Sequence, residues 1–289
     1  MNKNRLLKNL EKVVSMKLHH RVPRFFKNYK KRLKVSKLKQ NKESKDLPII
    51  GKSFFEANLN LILPETVSSS IYTCGYFEEK LTRAFIELIN PGDVFIDIGA
   101  HIGYFSRLAS EVVGSNGKVY SFEPTASTYK LLESNTLSVK NIKSINKAVF
   151  SENKEIEFND YGPRYSAMNS FTAGRFDKEA ERAFKKLKVK AIKLDDFTFK
   201  NNIKPNFIKI DAESAEYDIL QGMQKIMRID KPIITVEVGD FGIRNIKTSK
   251  ELIEYVMSFG YKTYLFDRKL IEHKLREKYS YQNIILIPS

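Results

Sequence analysis

A chain of 289 residues with 42% hydrophobic content can bury one sizeable core and a small appendage, which argues against two full catalytic domains. The single cysteine, Cys74, excludes an intrachain disulfide and a thiolate zinc cluster and points to a reducing compartment. The formal charge of +16 is uneven: residues 1–45 hold 16 Lys/Arg against Glu11 and Glu43, so the remainder carries only +2 and the excess describes a basic arm, not a basic groove.

From the N-terminus, Leu6, Leu7, Leu10, Val13, Val14 and Leu18 recur at helical spacing among lysines, which predicts a basic amphipathic helix over 3–20. Pro23 interrupts it, and a second basic stretch with Phe25, Phe26, Tyr29, Leu33 and Leu38 runs into the polar linker 40–46. An extension of 1–47 thus precedes a domain of 48–289. Three readings of residues 1–45 compete: a helix pair attracted to an anionic membrane surface, an arm for nucleic acid, or a helix docked on the body. No apolar run reaches bilayer length and no signal-peptide segment is present, so the chain is expected in the cytoplasm, peripheral at the inner face of a membrane if the arm binds lipid.

Residues 48–72 look like strands broken by Pro64, and 77–89 like a helix that stops at Pro91-Gly92. Further strands are expected at 94–98, 118–123, 142–149, 155–158, 189–194, 206–211, 232–238, 261–266 and 283–287, with helices at 126–137, 175–187, 214–228 and 248–259. Alternating strands and helices predict a mostly parallel sheet covered on both faces. The stretch 159–176, rich in turn, aromatic and amide residues, reads equally as a lid over a sugar ring or as an ordinary surface excursion.

The most informative segment is Val94-Phe95-Ile96-Asp97-Ile98-Gly99-Ala100-His101-Ile102-Gly103, a strand that ends in an acid and breaks into a glycine loop before a helix led by Phe105 and Leu108. Such a turn is where open α/β sheets bind nucleotides. Glu123, 20 residues past Gly103 in Phe122-Glu123-Pro124, would end the next strand and accept both ribose hydroxyls. The Gly-x-Gly-x-x-Gly spacing of a dinucleotide site is absent, and Asp97 would repel a pyrophosphate. An acid there suits a nucleoside bearing a sulfonium and an α-amino group, S-adenosylmethionine.

With these residues in hand, the chain resembles the FkbM-type methyltransferases from about Tyr72 onward. The resemblance rests on Gly75-Tyr76-Phe77-Glu78, on Pro91-Gly92-Asp93 leading into Asp97–Phe105, on Phe122-Glu123-Pro124, Ala148 and Leu194-Asp195-Asp196-Phe197, and on Phe207-Ile208-Lys209-Ile210-Asp211-Ala212-Glu213-Ser214-Ala215-Glu216. It implies an α/β class I, Rossmann-like methyltransferase fold, with a mostly parallel seven-stranded sheet, helices on both faces and a reversed last hairpin. It also implies S-adenosylmethionine as cofactor and a sugar or similar hydroxylated acceptor. Two positions depart from the family pattern: His101 stands where asparagine is usual, and Ser214 where glycine is usual.

The cofactor-binding candidates are Asp97, Gly99, Ala100, His101, Gly103, Phe122, Glu123, Pro124 and Asp211; the catalytic candidates are Asp211, Glu213 and His101. Methyl transfer to oxygen needs alignment of nucleophile, methyl and sulfur, and a base for the hydroxyl. Asp211 and Glu213 end a central strand, so that one can face the methionine part of the cofactor and the other the acceptor. A divalent metal is compatible with these carboxylates but not indicated. Against these roles, Glu213 and Glu216 also suit a helix dipole, His101 also suits a brace within its loop, and Asp195 and Asp196 read as turn and cap residues. The leading function is transfer of a methyl group to a hydroxyl of a glycan or polyhydroxylated metabolite. An RNA methyltransferase, with the arm tracking phosphate, and a non-catalytic cofactor-binding protein are the alternatives.

Overall fold

The computed structural model describes residues 2–18, 22–41, 44–170, 184–240 and 247–289. Helices α1 (Lys3–Leu18) and α2 (Val22–Gln40) form the extension. Helix α1 ends ahead of Pro23, which stands in the first turn of α2, where its fixed φ and missing N–H are allowed. Strands β1 (Leu47–Lys52) and β2 (Asn58–Leu63) pair antiparallel. Residues after Pro64 are not strand. They form α3 (Thr66–Cys74), whose first amide groups, at Val67 and Ser68, donate to the buried Glu65 carboxylate. Helix α4 (Glu79–Leu88) leads to β3 (Val94–Ile98).

The chain then runs through α5 (Tyr104–Val113), β4 (Lys118–Phe122), α6 (Ala126–Thr136), β5 (Ile142–Ile145), β6 (Ala148–Phe150) and β7 (Lys154–Asp160). A 3-10 turn over Pro163–Met168 follows, then β8 (Lys185–Lys193), α7 (Leu194–Lys200) and β9 (Phe207–Ile210). Most of the expected helix 175–187 lies outside the described residues, and its last three positions are strand. The expected helix 214–228 is two short ones, α8 (Glu216–Gln221) and α9 (Gln224–Ile229). They divide at Gly222, where a Cβ would come 2.3 Å from the Phe150 carbonyl oxygen. Strand β10 (Ile233–Val238), α10 (Ser249–Met257), β11 (Tyr261–Phe266), β12 (Leu270–Glu272) and β13 (Gln282–Pro288) complete the order.

The main sheet is mixed and eight-stranded, in the order β12-β11-β13-β10-β9-β3-β4-β5. Strands β5, β4, β3, β9 and β10 are parallel, and β13 inserts antiparallel between β10 and β11. This is the class I methyltransferase arrangement with its reversed hairpin. The expected count of seven is corrected by the short edge strand β12 on β11. The expected strand 142–149 splits, because β6 leaves the main sheet to join β8 and β7 in a separate three-stranded one.

Strand alternation divides the core between the two faces. Ile96, Ile98, Ile208, Ile210, Ile234 and Val236 pack with α8, α9 and α10 residues such as Ile219, Ile226 and Ile253. Phe95, Val119 and Phe207 pack with Phe85 of α4 and Leu108 of α5. Leu6 and Leu10 of α1 are fully buried in that second cluster. Each such leucine removed from water contributes about 1.5–3 kcal/mol, so the apolar face of α1 serves docking and is not available to a membrane. Among the described residues, no helix is long and apolar enough to cross a membrane.

Candidate functional site

A polar row crosses the second face of the sheet. Asp97 is the register partner of Ser121 on β4 and Lys209 on β9, and Lys209 is that of Thr235 on β10. The Lys209 ammonium is almost fully buried and meets Asp97 Oδ1 and Asp211 Oδ2, each at 3.3 Å, and the Gly99 carbonyl at 3.1 Å. Burial works against its charge, but Asp211, Asp97 and Glu78 outweigh it and hold its pKa above the ordinary lysine range. The second Asp97 oxygen accepts from Ser106 at 2.6 Å, and Ser106 accepts from Ser121 at 2.7 Å. Asp97 therefore sits beneath the glycine loop, neutralised by Lys209.

The glycines also answer to neighbouring protein. Gly99 has φ +72°, and a Cβ on it would lie 1.8 Å from the Asp211 carbonyl oxygen, so the chains leaving the parallel neighbours β3 and β9 approach too closely for any side chain at this position. Gly103 precedes α5 with φ +87° and presses on Leu132 of α6.

A pocket opens above this row at the carboxyl ends of the parallel strands. Gly99, Ala100, His101, Phe122, Glu123, Pro124, Asp211 and Glu213 line it, and Ala148, Val149, Ile156 and Phe158 give it an apolar wall. Of the cofactor candidates, Asp97 and Gly103 fall outside the lining. On the β4 side, Glu123 is buried. Its Oε1 accepts from the Thr125 hydroxyl at 2.6 Å and amide at 3.0 Å, and its Oε2 from the His101 amide at 3.1 Å. Burial raises its pKa, opposed by those bonds and by His101.

His101 adopts φ +51°, and its Nε2 lies 2.8 Å from Ser166 Oγ in the 3-10 turn. When the Ser166 hydroxyl donates to the Pro163 carbonyl, 3.1 Å away, Nε2 carries the proton toward it. Nδ1 is then a buried acceptor with no partner among the described residues. Asn169 bridges the same turn to Thr125 Oγ1 at 3.2 Å, so Ser166, Ala167 and Asn169 form a roof over the β4 side.

On the β9 side, Asp211, Glu213 and the buried Glu237 of β10 each bring a carboxylate oxygen within 4.8 Å of the others, a spacing that can hold a divalent cation. Burial foremost, then the neighbouring charges of Glu237, Asp211 and Glu78, raises the pKa of the Tyr281 hydroxyl. Glu78, the left-handed residue before α4, also turns inward. Burial foremost, then the Asp211 charge, pushes its carboxyl up to about 7, against Lys209 and a hydrogen bond from Asn283. The geometry thus brings Asp211 and Glu213 together and sets His101 with Glu123, on the far side of the glycine loop.

The sequence reading assigned no role to Lys209, Glu78 or Tyr281. A lysine inside the otherwise apolar Phe207–Ile210 run is the available signal for the first, and Glu78 stands in the Gly75–Glu78 motif that carries the family resemblance; nothing local marks Tyr281. Glu213 and Ser214 have φ +51° and +85°, so the backbone at Ser214 is left-handed and not helical, and the usual glycine there relieves a real strain. Glu216 accepts from the Ala212 and Ser214 amides at 3.0 and 3.3 Å and braces this turn, as Asp195 caps α9 through the Lys225 and Ile226 amides.

Among curated proteins, the chain is similar to the hexuronic acid methyltransferase AglP of Haloferax volcanii, 24% identical over 165 residues. That match spans 56% of this chain and 63% of the relative, under two thirds of its length. Similar solved structures include a methyltransferase FkbM from Methylobacillus flagellatus KT, at 14% identity, TM-score 0.43 and coverage of 76% of this chain and 52% of that one. Another is Aeropyrum pernix fibrillarin in complex with natively bound S-adenosyl-L-methionine, at 12% identity, TM-score 0.43 and 72% of each chain. Residues 97–263, from the acid of the glycine-loop strand to the first half of β11, match the methyltransferase FkbM domain, and the chain belongs to that family.

Proposed function

We propose that the protein is an S-adenosylmethionine-dependent methyltransferase that transfers a methyl group to a hydroxyl of a sugar or similar polyhydroxylated acceptor. The observation that carries this is one pocket with two chemically distinct sides, a ribose-type carboxylate at Glu123 and a cluster of carboxylates around Asp211. On the first side, Glu123 and the unpartnered Nδ1 of His101 can accept the ribose hydroxyls, while the apolar wall takes the adenine. Gly99, Ala100, Phe122 and Pro124 shape this half; Asp97 acts from below through Lys209.

The second side suits the cationic end of the cofactor and the incoming hydroxyl. Asp211 or Glu213 is the proposed proton acceptor, with His101 as an alternative that its bond to Ser166 disfavours. Should a divalent cation sit among Asp211, Glu213 and Glu237, it would acidify the hydroxyl in the same place. A sugar acceptor is supported by the name of the Haloferax relative. The carboxylates at this end favour a hydroxyl-rich neutral acceptor over a uronic acid, whose charge they would repel.

The basic outer face of α2, where Lys30, Lys34 and Lys37 flank the exposed Tyr29 and Leu33, supports contact with an anionic membrane surface from the cytoplasmic side. Vesicles with and without anionic phospholipid test it by co-sedimentation.

Calorimetric titration of S-adenosylmethionine and its demethylated product into wild type and Glu123→Ala tests the cofactor half, and a panel of matched neutral and uronic sugars the acceptor half. Binding by wild type that Glu123→Ala weakens at least tenfold is expected. A folded wild type that binds neither compound refutes the reading.

A further inference from the structure

Arg164, in the roof turn, reaches back to the extension. Its Nη2 donates to the Leu38 carbonyl at 2.6 Å and the Asn41 carbonyl at 3.2 Å, and its Nη1 to the Ser44 carbonyl at 3.0 Å and hydroxyl at 3.2 Å. The end of α2 is where carbonyls lack helical partners and a cation is favoured, so the guanidinium acts as its cap. Two residues on, Ser166 meets His101, and five residues on, Asn169 donates to the Thr125 hydroxyl. Both branches end on the same carboxylate: the His101 amide on one oxygen of Glu123, Thr125 on the other.

We propose that Arg164 is a positioning residue that makes the end of α2 part of the cofactor-binding apparatus. Through Ser166 and Asn169 it orders the roof before the cofactor arrives. The proposal rests on the reading that Glu123 and His101 hold the cofactor ribose. A six-residue 3-10 turn has little stability of its own. Four hydrogen bonds from one rigid fork fix it in place, and without them the cofactor must order Ser166 and Asn169 as it binds, at the expense of affinity. The extension, in this account, is neither a tether alone nor packing alone: it sets the geometry of a site whose lining it does not enter.

The test is calorimetric titration of the demethylated cofactor into wild type, Arg164→Ala, Arg164→Lys, Ser166→Ala and the Arg164→Ala/Ser166→Ala double variant, with melting temperatures measured alongside. Arg164→Ala is expected to weaken binding about tenfold. Arg164→Lys should fall between, since lysine keeps the charge but not the fork. The double variant should bind no more than about twofold more weakly than the weaker single, because both substitutions cut one strap. Affinity within twofold of wild type in Arg164→Ala, or a lowered melting temperature with binding unchanged, overturns the proposal.

Should Arg164→Ala not fold, amide exchange on the wild type decides. Bound cofactor product must slow exchange over residues 36–41, and unchanged exchange there overturns the proposal. A wild type that does not bind at all removes the cofactor reading and this one together; normal binding with an unmoved Arg164→Ala removes only this one.

Discussion

Replacing Glu78 with glutamine should stabilise the protein at alkaline pH and leave it nearly unchanged at acid pH. The Glu78 carboxyl rises from the ordinary 4.5 to about 7 because burial penalises its charge and Asp211 repels it. Each pH unit is worth about 1.4 kcal/mol, so carrying the charged form in the folded state costs ~3 kcal/mol above neutrality. The sign follows from proton binding: between the unfolded and folded values the native state holds a proton that the unfolded chain has lost, so raising the pH favours unfolding across that window and has no further effect above it. Glutamine imitates the protonated acid and never acquires the charge. Urea unfolding at pH 5 and pH 8 should therefore show a gain for Glu78→Gln that grows from under about 1 kcal/mol to ~3 kcal/mol. A gain of the same size at both pH values would refute the account, because the difference between variant and wild type changes with pH only if Glu78 titrates between them.

Lys209→Met should cost about 3–5 kcal/mol, since it leaves Asp97, and the more accessible Asp211, without their shared cation; a loss below about 1 kcal/mol in a denaturant melt would show that water or rearrangement replaces the ammonium. Gly99→Ala should lower stability by about 3 kcal/mol or more and abolish cofactor binding, because the new methyl would overlap the Asp211 carbonyl. Near-native melting and affinity would mean that the approach of Gly99 to the Asp211 carbonyl is loose. Ser214→Gly should raise stability by about 0.5–1 kcal/mol by relieving a left-handed residue, and a measured loss would point to a role for the Ser214 side chain.

What the sequence revealed and what it hid follow from the range of the forces involved. The strand at 94–98, its glycine loop and Glu123 are local patterns, and the parallel core follows from their alternation with helices. Thr66–Cys74 reads as strand because Val67, Ile71 and Tyr72 are β-formers; the Glu65 cap and burial of Val67 and Ile71 against the second core cluster decide for helix. Gly99 was legible as a close approach, but its neighbour is the Asp211 carbonyl. Glu78 and Arg164 depend on partners far along the chain, such as Asn283 for one and Ser44 for the other, which no local period encodes. The basic arm reads identically whether its leucines face lipid or protein, and only the burial of Leu6 and Leu10 separates the two.

Strand β13 lies between β10 and β11 although it follows both in the chain. Until it inserts, two neighbouring strands present open backbone edges, one of them the apolar Ile233–Val238 run, and an unpaired edge of that kind is a template for other chains. Assembly of the sheet is thus a race between a late intramolecular insertion and intermolecular pairing. Low protein concentration during refolding, or a chaperone that shields β10, tips that race toward the native sheet.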